Sequence, residues 1–107
     1  MSFSPERAAK LIGKKRSEYV CNQVVNEVLN GDKNFGGRAA TYLKWGTRIY
    51  MPVAGAIIVN AVGSHIGIFI SPTEFIHSSL SRHEVIKVNL NQLRPVFGQD
   101  YQIRYKP

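Results

Sequence analysis

The chain is poor in cysteine, tryptophan and acid. It has a single cysteine, Cys21, which excludes an internal disulfide, so the fold does not rest on oxidation. There is no CxxC and no Cys/His cluster at zinc spacing, and neither a metal nor any other cofactor is expected. Long apolar runs are missing too. The longest, Val53 to Val62, is about half of a membrane span. The N-terminal Met-Ser-Phe-Ser-Pro-Glu-Arg lacks the basic-then-apolar layout of a secretory signal. That fits either a cytosolic protein or a domain exported within a larger chain, acting in the periplasm or cytosol of a target cell. Seven Asp and Glu stand against fourteen Lys and Arg, for a formal charge of +7. Such a surface attracts polyanions: nucleic acid, anionic lipid, teichoic acid or an acidic protein. Dispersed charge also simply keeps a small domain soluble. The only tight run is Lys14-Lys15-Arg16.

What remains is ordinary globular composition, 44% hydrophobic over 107 residues, enough for one domain spanning residues 1–107 with a modest core. Its character changes once, near Gly46. Before that point the apolar spacing is helical. Ser4-Pro5-Glu6 reads as a helix start, with Ser4 as cap and Pro5 in the first turn. Ala8, Leu11 and Ile12 follow on one face. Val20, Val24, Val25, Val28 and Leu29 trace one side of a second helix from about Glu18 to Asn30, ended by Gly31-Asp32. A third, short helix is expected over Arg38 to Trp45. After Gly46 the period falls toward two and β-branched residues take over. Strands are expected at Ile57–Val59, Ile66–Ile70, Glu74–His77, Glu84–Val88 and Tyr101–Tyr105. The short links between them favour antiparallel neighbours, with Asn89 to Gln99 read as a separator. Helices first and strands later mean an α+β fold, N-terminal helices packed on an antiparallel sheet of about five strands.

A thiol nucleophile needs a base to take its proton and a further polar group to orient that base. Cys21 lies at or near a helix N-terminus, where unpaired N–H groups favour a thiolate. His65 opens a strand after Gly63-Ser64. His77 ends the next strand. If those strands form a hairpin around Ser71-Pro72-Thr73, both imidazoles lie at one end, side by side, His65 as base and His77 as orienter. Each residue also has a plainer reading: a lone buried cysteine is usually an inert hydrophobe, and a lone strand histidine is usually structural. His83, in Ser81-Arg82-His83-Glu84, reads as surface.

Residues 19–29, from Tyr19-Val20-Cys21-Asn22 to Leu29, resemble the nucleophile helix of NlpC-type peptidases, the compact papain-like cell-wall hydrolases. Ser64-His65-Ile66-Gly67-Ile68-Phe69-Ile70 resembles that family's histidine strand, and Phe75-Ile76-His77-Ser78-Ser79 the strand supplying the third polar residue. Pro52 to Ile58 is similar to the segment before the first strand, with Ala56 where that family has Asp. Val20-Cys21-Asn22 replaces the common Asp-Cys-Ser. The resemblance covers Tyr19 to Ser79 and, loosely, the Tyr101 to Tyr105 strand. It implies a papain-like fold in which Cys21 attacks a carbonyl carbon, His65 activates the thiol and protonates the leaving amine, and His77 orients His65. It also implies that the Cys21 N–H forms part of the oxyanion hole, with Tyr19 placed to hydrogen-bond near it. Packing is the plainer role for Tyr19, and core rather than cleft wall for Trp45.

Three functions follow. The first is an amidase or endopeptidase cutting the peptidoglycan stem peptide, an antibacterial toxin or effector domain whose +7 surface suits an anionic wall. The second keeps the fold but acts as a ribonuclease on tRNA or other RNA, with a His pair doing acid–base work and Lys14, Lys15, Arg16, Arg38, Lys44 and Arg48 following the phosphates. The third is a non-enzymatic binding module. An acidic immunity protein is an expected partner under either toxin reading.

Overall fold

The computed structural model describes residues 3–107. It is an α+β fold built on one six-stranded antiparallel sheet. Helix α1 (Pro5–Leu11) begins as its sequence indicates: Pro5 is in the first turn and the Ser4 hydroxyl accepts from the Arg7 N–H at 3.2 Å, pairing one donor that the helix leaves open. Helix α2 spans Cys21–Asn30, starting three residues later than the apolar spacing indicates. The start is set by Gln23, whose side-chain oxygen accepts from the Val20 N–H at 3.1 Å. The stretch expected as a third helix is a tighter 3-10 helix, Ala39–Lys44.

The strands are β1 (Thr47–Ile49), β2 (Ile57–Val59), β3 (Ile66–Phe69), β4 (Glu74–Ser78), β5 (Val85–Asn89) and β6 (Gln102–Tyr105). They lie in the order β1-β6-β2-β3-β4-β5. All five strands expected from the sequence are present, and β1 is added at the edge beside β6. The separator between β5 and β6 also holds structure: helix α3 (Leu93–Phe97).

Strand alternation sends side chains to two faces, and both are covered. On one, α1 and α2 pack Ala8, Leu11, Val24, Val25 and Val28 against Ile57, Val59, Ile66, Ile68 and Ile76. On the other, α3 packs Leu93 and Phe97 against Ile58, Phe69, Phe75 and Ile103. Trp45 belongs to the α2 side, packed at the core margin with its ring 5.6 Å from that of Tyr42. A stripe of asparagines fastens α2 to the loop that follows it: Asn22 and Asn26 donate to the Gly37 carbonyl, and Asn30 to that of Phe35. At the far end Arg7 donates to the α2 carbonyls of Glu27 and Val28, where a cation matches the negative end of the helix.

Candidate active site

The β3–β4 hairpin brings His65 and His77 together. The register pairs Gly67 with His77, so His65, two residues before Gly67, shares its face. His65 Nε2 lies 3.0 Å from His77 Nδ1, and the rings meet edge-on at 87°. Gly67 makes this arrangement possible. A Cβ there would stand 2.8 Å from the Ile76 carbonyl oxygen and 3.2 Å from both His77 Cβ and Phe97 Cζ, inside contact distance.

Phe97, from the unforeseen α3, stacks on His65 at 28° and 5.2 Å. Phe75 lies 5.8 Å from His77 and 5.7 Å from Phe97. The histidines therefore sit on an aromatic bed, 9% and 4% exposed. Burial withholds water from the charged imidazolium, and Arg16 adds like-charge repulsion. Both histidines are lowered from the ordinary 6.5 to about 4, His77 with a further contribution from His65. The pair is neutral at pH 7.

Cys21 is the first residue of α2. Its thiol lies 3.9 Å from the carbonyl oxygen of Ser64, the residue before His65. The helix on one face and the histidines on the other thus meet at the end of β3. Three ties set this meeting point. The Asn60 side-chain oxygen accepts from the N–H groups of Ser64 and His65 at 2.8 and 3.1 Å. Ser78, at the end of β4 and fully buried, donates to the Tyr19 carbonyl at 2.6 Å. Arg16 Nη1 donates to the Ser78 carbonyl at 2.7 Å. The chain leading into α2 is thereby pinned to the strand carrying His77.

A cleft of about 830 Å³ opens over the histidines, with Ser64, His65, His77 and Arg16 in its wall. Cys21 is not in that wall; it stands against Ser64, which is. Tyr19 is outside the wall of that cleft. Its ring lies 5.0 Å under Lys33 Nζ and walls a separate groove with Arg7, Lys10 and Glu27. Burial, then Glu27 and Glu18, raise its pKa. The six basic residues expected to follow phosphates are scattered. Arg16 is in the cleft, Lys14 faces the Tyr19 groove, and Lys15 shares a third groove with His83. Arg38, Lys44 and Arg48 are exposed around the 3-10 helix and β1, with Arg48 over the Tyr50 ring. His83 is exposed, as its polar turn indicates. Phe97, Asn60 and Ser78 carry no motif that marks them in the sequence; only their contacts do.

No family model matches the chain, and no curated protein matches it. No helix among the described residues is long and apolar enough to cross a membrane.

Proposed function

We propose that this protein is a papain-like cysteine hydrolase that cleaves an amide bond, with the peptidoglycan stem peptide as substrate and an antibacterial toxin or effector as its setting. The observation that carries this reading is the 3.0 Å contact between His65 Nε2 and His77 Nδ1, with the thiol that opens α2 3.9 Å from the carbonyl of Ser64, the residue before His65. The contact commits one nitrogen of His65 to His77 and leaves Nδ1 for a proton from Cys21. The thiolate attacks the carbonyl carbon, and the carbonyl π electrons move to oxygen. The Cys21 N–H, which has no partner among the described residues, is available to that oxyanion at the positive end of α2. Collapse breaks the C–N bond, and the His65 proton leaves with the amine. Water then attacks the thioester, giving its proton to His65, and releases the acid and the thiol. The resemblance of residues 19–79 to NlpC-type peptidases supports the wall substrate, as does the +7 charge.

The test is digestion of purified sacculi by wild type and Cys21→Ala. Release of muropeptides by wild type alone is expected. No release, or equal release by Cys21→Ala, would sink the proposal.

Ribonuclease action is the second reading, favoured by a cleft whose charged side chains Arg16, Arg82 and Lys87 are all cationic. Against it stands the contact just described, since two histidines bonded to each other do not flank a phosphodiester as separate acid and base. RNA cleavage that survives Cys21→Ala but not His65→Ala would favour it.

A further inference from the structure

A sheet edge carries a row of open backbone donors and acceptors, which a protein covers, charges or uses. The two edges of this sheet are treated differently. At β5 the chain ahead of α2 closes part of the edge. The Val85 N–H donates to the Lys14 carbonyl and the Gly13 N–H to the Val85 carbonyl, both at 2.8 Å, and Lys15 bridges Glu84. At β1 nothing of the kind occurs. Its strand partner is β6, and among the described residues no loop bonds the backbone of Thr47, Arg48 or Ile49.

The charge around that bare edge has one sign. From Lys33 to Thr73 the sequence contains no Asp or Glu. Lys44, Arg48 and Lys106 are all exposed. Arg48 stands directly across from Arg104 in the register, a like-charged pair that disfavours its own strand contact. Arg104 is held by carbonyls: its Nε donates to that of Trp45 at 2.7 Å and its Nη2 to that of Gly46 at 3.2 Å. Arg48 has no such tie, and its guanidinium lies over the Tyr50 ring at 5.1 Å. Gln99 and Tyr101 line a small groove with Arg48 and Tyr50, and Asp100 between them does not. Just past the strand, Tyr50 and Met51 are each 78% exposed.

These charges decide what the edge can take. A second copy, paired antiparallel at β1, would put Arg48 opposite Arg48, which repels. The same arginine attracts a strand that carries acid. RNA, the other polyanion that a +7 chain attracts, has no amide backbone to pair with a strand. We propose that the outer edge of β1 is a docking surface for an extended acidic segment of a partner protein, which adds to the sheet beside β1. Its backbone takes up the open N–H and C=O groups, an Asp or Glu sits across from Arg48, and its apolar side chains cover Tyr50 and Met51. The surface is separate from the candidate active site and does not depend on Cys21 being a nucleophile. Strands β6 and β2 stand between β1 and β3, a distance of about 14 Å at the usual strand spacing, so the partner leaves the cleft open.

The test follows the backbone amides of the labelled full chain by NMR while a synthetic peptide alternating Glu and Val is added. A Lys–Val peptide, a Glu–Pro peptide and a short oligoribonucleotide are the comparisons; Glu–Pro has the same charge but lacks the proline N–H groups that pairing needs. The Glu–Val peptide is expected to shift the amides of Thr47–Ile49 and slow their exchange with solvent. Arg48→Glu is expected to weaken that binding about fivefold or more, the scale of turning an exposed attraction into a repulsion, and to make Lys–Val the better ligand. Arg48 is exposed and its replacement faces Arg104, so the variant keeps its fold. Iodoacetamide should alkylate Cys21 at the same rate with and without the peptide. No shift at β1 overturns the proposal, as does undiminished binding by Arg48→Glu. Equal binding of Glu–Pro reduces the effect to charge alone and overturns it too. So do a shift confined to β5, a β1 response to RNA alone, and a β1 shift that grows with protein concentration in the absence of peptide, which puts a second copy on the edge. Muropeptide release with a silent β1 rejects the docking surface alone. A responsive β1 with an inert Cys21 rejects the hydrolase and keeps the surface.

Discussion

The two faces of the sheet are built from different materials. Under α1 and α2 the contacts are aliphatic, Val and Ile against Val and Ile, and the product is position: a rigid helix whose first residue is Cys21. Under α3 they are aromatic, Phe69, Phe75 and Phe97 around His65 and His77. There the product is an environment that keeps the imidazoles neutral. One face places Cys21 and the other sets the surroundings of the histidines, so a change of similar size should have different consequences on each.

The largest expected effect removes the thiol. Cys21→Ala should lower amide hydrolysis by on the order of 10⁴-fold or more while shifting the melting temperature little, because the side chain is only partly buried. Turnover of sacculi and a thermal melt, measured together, check both halves. Next come matched truncations. Phe97→Ala should cost about 3–5 kcal/mol and Val25→Ala somewhat less, by denaturant unfolding. Only Phe97→Ala should also move the His65 titration midpoint up toward 6.5, since it alone readmits water to the ring. Equal midpoints in the two variants would break the comparison. Ser78→Ala is milder, about 1–3 kcal/mol, the scale of leaving the Tyr19 carbonyl without its donor. Because Ser78 ties the approach to α2 to β4, its kcat should fall more than its KM rises.

The gentlest probe is acid. The folded midpoints of His65 and His77 lie near 4 against 6.5 for the free group. Between those values the unfolded chain binds more protons than the native one. Stability is therefore full above pH 6.5 and declines as pH falls through the window toward 4. Unfolding free energies across that range should show the slope, and His65→Gln should flatten part of it.

Much of this was legible because the local signals were strong. The β3–β4 hairpin follows from Ser71-Pro72-Thr73 between two β-branched runs, and with it the juxtaposition of the histidines. What stayed hidden was short or long-range. Strand β1 has three residues, two of them exposed, too few to show alternation; its strand state comes from pairing with β6. Helix α3 has five residues and carries Pro95, which reads as a breaker, although proline is tolerated in a first turn because its missing N–H had no partner to lose. With α3 hidden, Phe97 had no reason to be placed on His65. The roles of Arg16 and Ser78 depend on contacts 62 and 59 residues apart, which no local pattern encodes. The Tyr19 carbonyl accepts from Ser78 while its ring walls the groove with Arg7, Lys10 and Glu27, a division between backbone and side chain that no local pattern encodes.

Strand β6 is the last of the six in the chain, yet it lies between β1 and β2. During synthesis the ribosome releases Cys21, His65 and His77 well before the segment that completes the sheet. Until residues 102–105 emerge, β1 has no partner and β2 keeps an open edge, the state in which a chain is most exposed to mispairing. Phe97 also arrives late, just ahead of that strand. Under the hydrolase proposal, a chain assembled in this order is expected to stay inactive until its last strand pairs.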